Sequence, residues 1–265
     1  MLINGAAGNM ISIRDRGLLY GDGVFRTFCA CAGEPQHWPL HYKKLEHDCA
    51  ALGIVCPDFD LLAAELGGLL IAHPDAVFKI IVTRGLSARG YAPPVESHPT
   101  HIWDVSPLPD YSQSRAGLKL HLCRLRLGHQ PLLAGIKHLN RLENVLAAAE
   151  CSDADEGLLQ DCDGLVIEGV RSNVFLVLNG CLVTPDLSRC GVAGVQRDRV
   201  IACAGRLGMR VVVRDVALAE VSAADELFLT NSVFGLWPVA SLDARRWTDY
   251  SGTTQIREAL AGQGF

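Results

Sequence analysis

Leu132-Leu133-Ala134-Gly135-Ile136-Lys137-His138-Leu139-Asn140-Arg141-Leu142-Glu143 sets one lysine in an apolar run, directly ahead of a helical pattern. A lysine held among such groups loses hydration. That disfavours the ammonium and lowers the pKa, the condition for a Schiff-base or general-base amine. The other reading, a lysine snorkelling from a loop, is the more frequent one on composition alone. Lysine is scarce in this chain: 19 of the 24 basic residues are Arg, leaving Lys43, Lys44, Lys79, Lys119 and Lys137. Any chemistry that needs an amine therefore has few candidates.

Around that stretch lie 265 residues, enough for one large domain or two small ones at about 100 to 200 residues each. Apolar residues make up 49% and charged residues 20%, with a mean hydropathy of +0.20. That composition fits a well-packed core and excludes long disorder. A net charge of −5 argues against a nucleic-acid surface. The first residues, Met1-Leu2-Ile3-Asn4-Gly5, lack a secretory pattern, and no apolar run reaches the roughly 18 residues of a membrane span. The expectation is a cytoplasmic protein with no membrane partner. Ten cysteines then read as free thiols, small buried hydrophobes in a reducing compartment. No Cys-x-x-Cys pair occurs, and no metal site is expected.

Working outward, strands are expected at Leu2 to Asn4 and Val24 to Cys31, with a turn at Gly21-Asp22-Gly23 following a loop at Asp15-Arg16-Gly17. Leu45, Cys49 and Leu52 recur at helical spacing between Leu40 and Leu52, Gly53 ends that helix, and Asp58 caps another running to about Ala72. Val77 to Thr83 and Thr100 to Val105 read as strands. Ser106-Pro107-Leu108-Pro109-Asp110, followed by Ser112, Gln113 and Ser114, suits neither helix nor central strand. It is read as a linker over 106–114, dividing a smaller α/β domain, 1–114, from a larger one, 115–265, that carries Lys137. The second half opens with a strand at Leu118 to Leu127. A helix follows from about Asn140 to Cys151, with Leu142, Val145, Leu146 and Ala149 on one face. Hairpins come next, with a turn at Asp161 to Gly164 and an Asn179-Gly180 turn between Val174 to Leu178 and Cys181 to Thr184. A helix to about Leu207 and strands at Val211 to Val213, Glu226 to Thr230 and Trp237 to Leu242 complete the reading. The fold class is α/β (α+β).

Several site types are missing from the sequence: no P-loop, no Gly-x-Ser-x-Gly elbow and no His-Glu-x-x-His helix occur. His98 and His101 straddle a proline with no obvious carboxylate partner and read as surface histidines. Gly191-Val192-Ala193-Gly194-Val195-Gln196-Arg197 is a glycine-bounded turn opening a helix, whose unpaired N–H groups suit a phosphate. Glu168 closes an apolar strand, either at an exposed strand end or beside a buried cation.

An amine, a phosphate cradle and an anion able to hold a pyridinium are together what pyridoxal 5′-phosphate requires. At this point the chain resembles the class IV, or fold type IV, pyridoxal-phosphate enzymes. The resemblance rests on Asp15-Arg16-Gly17, Gly21-Asp22-Gly23-Val24-Phe25, Gly135 to Glu143, Glu168-x4-Asn173-x-Phe175 and Gly191-x-x-Gly194-Val195-x-Arg197. These motifs run from about Leu2 to Pro238. The family holds branched-chain aminotransferases, D-amino-acid aminotransferases and 4-amino-4-deoxychorismate lyases. Gly-Ile-Lys-His-Leu-Asn-Arg-Leu around Lys137, with Leu142 where branched-chain enzymes usually carry tyrosine and Arg89-Gly90-Tyr91 where D-amino-acid enzymes carry Arg-x-His, resembles the lyase form.

The resemblance implies two domains with the cofactor between them and a homodimer whose N-terminal loops line the neighbouring site. It implies that Lys137 is the Schiff-base lysine, that Glu168 pairs with the pyridinium nitrogen and that Asn173 lies on the cofactor side. The amides of Val195 and Gln196, with Ser232, would hold the phosphate. One departure stands out: the family pattern His-x-x-Arg-Leu is here His41-Tyr42-Lys43-Lys44-Leu45, so Lys44 replaces a phosphate-binding arginine. Lysine neutralises phosphate as a point charge but makes no bidentate fork. Arg89 is the candidate for a substrate carboxylate, with Thr27 and Tyr91 nearby; as a bare sequence, Arg89 is equally a solvated loop charge. The activity implied is a lyase acting on a small molecule, with an aminotransferase of the same fold as the alternative.

Overall fold

Val24, Phe28, Ile80, Val82 and Trp103 alternate with less buried residues along three long strands, and that period of two builds the first sheet. The computed structural model describes residues 1–110 and 117–262. The expected linker residues Ser112, Gln113 and Ser114, and with them the boundary near 114, lie outside the described residues. Within these, the chain forms two compact units, Met1–Pro109 with Ile136–Asn140, and Asp110–Gly135 with Arg141–Phe265.

In the first unit a six-stranded sheet runs in the order Ala6–Ala7, Leu2–Ile3, Thr100–Ser106, Ala76–Thr83, Gly23–Cys31, Glu34–Pro35. Helices Trp38–Ala51 and Phe59–Ala72 supply Leu45, Cys49, Leu62 and Leu66 to a core shared with Phe28, Phe78 and Trp103. Each large side chain buried there contributes about 1.5 to 3 kcal/mol. Asp58 caps the second of these helices, accepting from the Asp60 and Leu61 amides, as expected. Asp15-Arg16-Gly17 is not a loop, as expected, but the start of a short helix, Arg16–Tyr20, because the Asp15 side chain accepts the Gly17 N–H and caps it. His101 is a second correction: it is buried, and its Nε2 lies 2.9 Å from Glu65 Oε1. The carboxylate comes from helix Phe59–Ala72, too far along the chain to be seen beside the histidine.

A third difference concerns Lys137, which sequence order assigns to the second half. Ile136–Asn140 belongs to the first unit: His138 pairs with Val24, the Phe25 N–H donates to the Lys137 carbonyl at 2.9 Å, and the Leu139 N–H donates to the Gly23 carbonyl at 2.9 Å. The lysine segment thus pairs along the start of strand Gly23–Cys31, the part that Glu34–Pro35 does not cover.

The second unit holds a nine-stranded mixed sheet in the order Arg210–Arg214, Cys181–Pro185, Asn173–Leu178, Glu226–Asn231, Gly235–Leu242, Leu118–Leu127, Glu156–Asp161, Val166–Gly169, with Arg245–Arg246 alongside Gly235–Leu242. Phe175 and Phe228 stack at 5.0 Å beneath helices Val195–Arg206 and Ser251–Ala261. The latter helix, and Leu218–Ala223, were not expected. Helix Leu142–Ala149 buries Ala147, whereas Leu142, Val145 and Leu146 stand 77%, 60% and 60% exposed. Among the described residues, that part of its apolar face stays largely uncovered.

Candidate functional site

Lys137 is half-buried, and its backbone is held more firmly than its sequence suggests. Its N–H donates to Asp48 Oδ2 at 3.0 Å, and Asp48, fully buried on helix Trp38–Ala51, also pairs with the buried guanidinium of Arg26. The Lys137 Nζ lies 4.6 Å from the centre of the Phe25 ring, within cation–π range. Thr27 follows Phe25 by two residues on the same strand and therefore projects from the same sheet face. Lys44 precedes Asp48 by one helical turn and shares its helix face. Lys137, Phe25, Thr27, Lys44 and Asp48 thus form one group on the first unit.

Arg89 and Tyr91 are placed differently. Both sit on the exposed loop that follows strand Ala76–Thr83, Tyr91 at 85% exposure. The loop is held by Arg16, a buried residue whose guanidinium donates to Ser87 Oγ (3.0 Å) and to the carbonyls of Gly90 (3.1 Å), Tyr91 (2.8 Å) and Ala92 (3.3 Å). Asp22 accepts from both Arg16 Nε (2.7 Å) and Arg84 Nε (2.8 Å). Burial alone would push the Asp22 carboxyl up, but the hydrogen bonds and charges of Arg84 and Arg16 outweigh it and hold it below the usual range. Arg16 and Asp22 stand in the Asp-Arg-Gly and Gly-Asp-Gly motifs, yet their positioning role was not legible: nothing in the spacing shows which loop they would clasp. Asp48 and Phe25 were missed for the same reason.

On the second unit, Glu168 is buried rather than at an exposed strand end, and its Oε2 accepts the Val192 N–H at 2.8 Å. Asn173 Nδ2 donates to the Val192 carbonyl at 2.7 Å, while its Oδ1 accepts the Gly194 N–H at 3.1 Å. A Cβ on Gly194 would meet that Oδ1 at 2.5 Å, so glycine is needed there for close approach. These bonds fix the Gly191–Gly194 turn against two strands and aim it into helix Val195–Arg206, with Gly194 as N-cap. The first N–H groups of such a helix have no intrahelical acceptor and face its positive end. Gln196 is buried, and its Nε2 has no hydrogen-bond partner among the described residues. An anion at this helix end would satisfy both. Ser232 lies in the turn after strand Glu226–Asn231, shaped by Asn231 Oδ1 accepting from the Val233 and Phe234 amides at 2.8 and 2.9 Å. Asn173 pairs in register with Thr230 on that strand, so the sheet brings Glu168, Asn173, the turn and Ser232 to one end.

A model of the family described as amino-transferase class IV matches residues 23–242. The chain is 35% identical to the aminodeoxychorismate lyase of Vibrio harveyi over 246 residues, covering 91% of each chain. It is 32% identical to a putative branched-chain-amino-acid aminotransferase of Methanocaldococcus jannaschii, covering 89% of this chain and 83% of that one. The crystal structure of 4-amino-4-deoxychorismate lyase from Pseudomonas aeruginosa superposes with a TM-score of 0.95 at 47% identity, covering 99% of this chain and 98% of that one. With the model spanning most of the chain and these relatives matching nearly end to end, the chain belongs to the amino-transferase class IV family.

Proposed function

We propose that this protein is a pyridoxal-phosphate-dependent lyase that converts 4-amino-4-deoxychorismate into 4-aminobenzoate and pyruvate, a step of folate synthesis. The observation that carries the reading is the near end-to-end similarity to two lyases of that name. The same-fold alternative is a D-amino-acid or branched-chain aminotransferase; its branched-chain form rests on the M. jannaschii relative, which is less similar.

The residues present fit the cofactor: an amine at Lys137, a buried carboxylate at Glu168, and an unpartnered Gln196 Nε2 beside an anion-seeking helix end. Lys137 would hold it covalently, Glu168 and Asn173 on the ring side, and Val195, Gln196, Ser232 and Lys44 at the phosphate. When bound, pyridoxal phosphate supplies an electron sink for the carbon bearing the substrate amine. The Lys137 Nζ would then be the base that takes the proton from that carbon, and the same atom would return it to the methylene carbon of the departing enolate to give pyruvate. Backbone anchoring on Asp48 restricts where that amine can swing. Elimination leaves an aromatic ring, a driving force that favours it over amino-group transfer. Thr27, Arg89 and Tyr91 are proposed for the substrate side, Arg89 for a carboxylate.

Two further parts belong to the proposal. The exposed Leu142, Val145 and Leu146 favour a homodimer, since a contiguous apolar face is the kind of surface a second copy covers. Ten unbridged cysteines favour a cytoplasmic setting. Among the described residues no helix is long and apolar enough to cross a membrane. The decisive assay is coupled detection of pyruvate from aminodeoxychorismate. Brisk amino-group transfer to a keto acid with no pyruvate released would favour the alternative.

A further inference from the structure

His129, Asp161 and Cys190 come from three separate segments of the second unit, about thirty residues apart along the chain. Their ligand atoms all lie within 4.8 Å of one another. Their wide separation hides them from any motif search. Asp161 is fully buried at the end of strand Glu156–Asp161, and its Oδ2 lies 2.9 Å from His129 Nε2. Its other oxygen accepts the amides of Asp163 (3.0 Å) and Leu165 (2.8 Å), which fixes the carboxylate's direction. Cys190 is buried beside Leu127, Leu159, Ile167 and Leu187. Burial, with the nearby charges of Asp161 and Glu168, pushes its thiol up to about 12, so it is no nucleophile at neutral pH.

We infer that this trio is a binding site for a thiophilic divalent cation of the zinc class, with water as the fourth ligand. One nitrogen, one oxygen and one sulfur donor match that ion's preferences and suit neither calcium nor magnesium. Binding replaces the thiol S–H bond by a metal–sulfur bond and releases one proton to solvent, with no change of oxidation state. The thiolate and carboxylate together neutralise the dication, so the loaded site carries no net buried charge. Ligand atoms around a tetrahedral zinc stand about 3.3 to 3.8 Å apart. The longest separation in the trio must therefore close by no more than about 1 to 1.5 Å, while the 2.9 Å His129–Asp161 contact opens slightly, and His129, its side chain 25% exposed, can rotate to admit the ion. Cys190 leads directly into Gly191 and Val192, whose N–H is held by Glu168. An ion on Cys190 would thus set the turn that the proposed ring-side carboxylate grips.

The test uses the full chain, stripped with a chelator and titrated with Zn²⁺ against a chromophoric competitor and separately with Cd²⁺. The expected result is one ion per chain, with an ultraviolet sulfur-to-cadmium charge-transfer band. His129→Ala should weaken Zn²⁺ binding about tenfold or more while the protein stays folded, and Cys190→Ser should lose the band. Cys162→Ser, at an exposed thiol next to Asp161, should behave as the parent. Failure to compete for Zn²⁺, binding that survives both His129→Ala and Cys190→Ser, or a band lost in Cys162→Ser would each overturn the inference. None of these readouts depends on the cofactor or on turnover.

Discussion

The Lys137 backbone N–H donates to Asp48 Oδ2 at 3.0 Å, and that same carboxylate is clasped by Arg26. A buried charge pair between strand Gly23–Cys31 and helix Trp38–Ala51 therefore holds the backbone of the one lysine to which the chemistry is assigned. Asp48→Ala would leave the Arg26 guanidinium buried without its counter-charge, and the expected loss is about 3 to 5 kcal/mol. Urea unfolding of the full chain measures it. A loss below about 1 kcal/mol would mean that water or another group takes over the role of Asp48.

Glu168→Gln keeps an oxygen to accept the Val192 N–H but removes the negative charge. Cofactor should still bind, while lyase turnover should fall by about 10² to 10³. Steady-state kinetics with cofactor content measured in parallel separates the two effects. Unchanged turnover would remove Glu168 from its proposed role.

Lys44→Arg should preserve or tighten cofactor binding, because a guanidinium adds the bidentate fork that lysine lacks. Lys44→Ala should weaken it about tenfold, roughly 1.4 kcal/mol. Equilibrium titration of resolved protein with pyridoxal phosphate reads both. A marked loss with arginine would show Lys44 to be misplaced at the phosphate.

Asp22 predicts a pH signature. Its folded pKa is lowered, so its contribution to stability is fully present above its unfolded value of about 3.9 and fades as pH falls through the folded value. Asp22→Asn should be less stable than the parent near neutrality, and the gap should close below about pH 4. Thermal melts across that range test this. The same variant loosens Arg16 and with it the loop of Arg89 and Tyr91, so protease cleavage in that loop should quicken.

Val145→Asp combined with Leu146→Asp places two charges on the exposed face of helix Leu142–Ala149. If a second copy covers that face, light scattering should report monomer for the variant and dimer for the parent. A parent that is monomeric at assay concentration would refute the dimer.

Much of the fold could be read from local signals, because strand alternation and turn chemistry act over a few residues. Asn179-Gly180 is the clearest: both residues adopt positive φ, 48° and 74°, as a tight hairpin between two apolar strands requires. Glu168, Asn173 and the Gly191–Gly194 turn were also legible, through motif spacing. What was not legible depends on partners distant in sequence. Helical periodicity gave the apolar face of Leu142, Val145 and Leu146 but not what lies opposite it. His101 seemed unpaired because Glu65 is 36 residues away, and Lys137 was placed with the second half because the pairing of its segment with the first sheet, His138 with Val24, spans over a hundred residues. Asp48 holds the Lys137 segment, and Arg16 the loop of Tyr91, largely through backbone groups, which carry no side-chain signature.

The most direct test of the account is a comparison of the parent with Lys137→Ala, both incubated with pyridoxal phosphate and then with 4-amino-4-deoxychorismate. The account predicts a parent that takes on the visible absorption of protein-bound cofactor and releases pyruvate and 4-aminobenzoate in equal amounts, and a folded variant that does neither. Pyruvate release persisting in Lys137→Ala, or a parent that cannot be loaded with the cofactor, would contradict it.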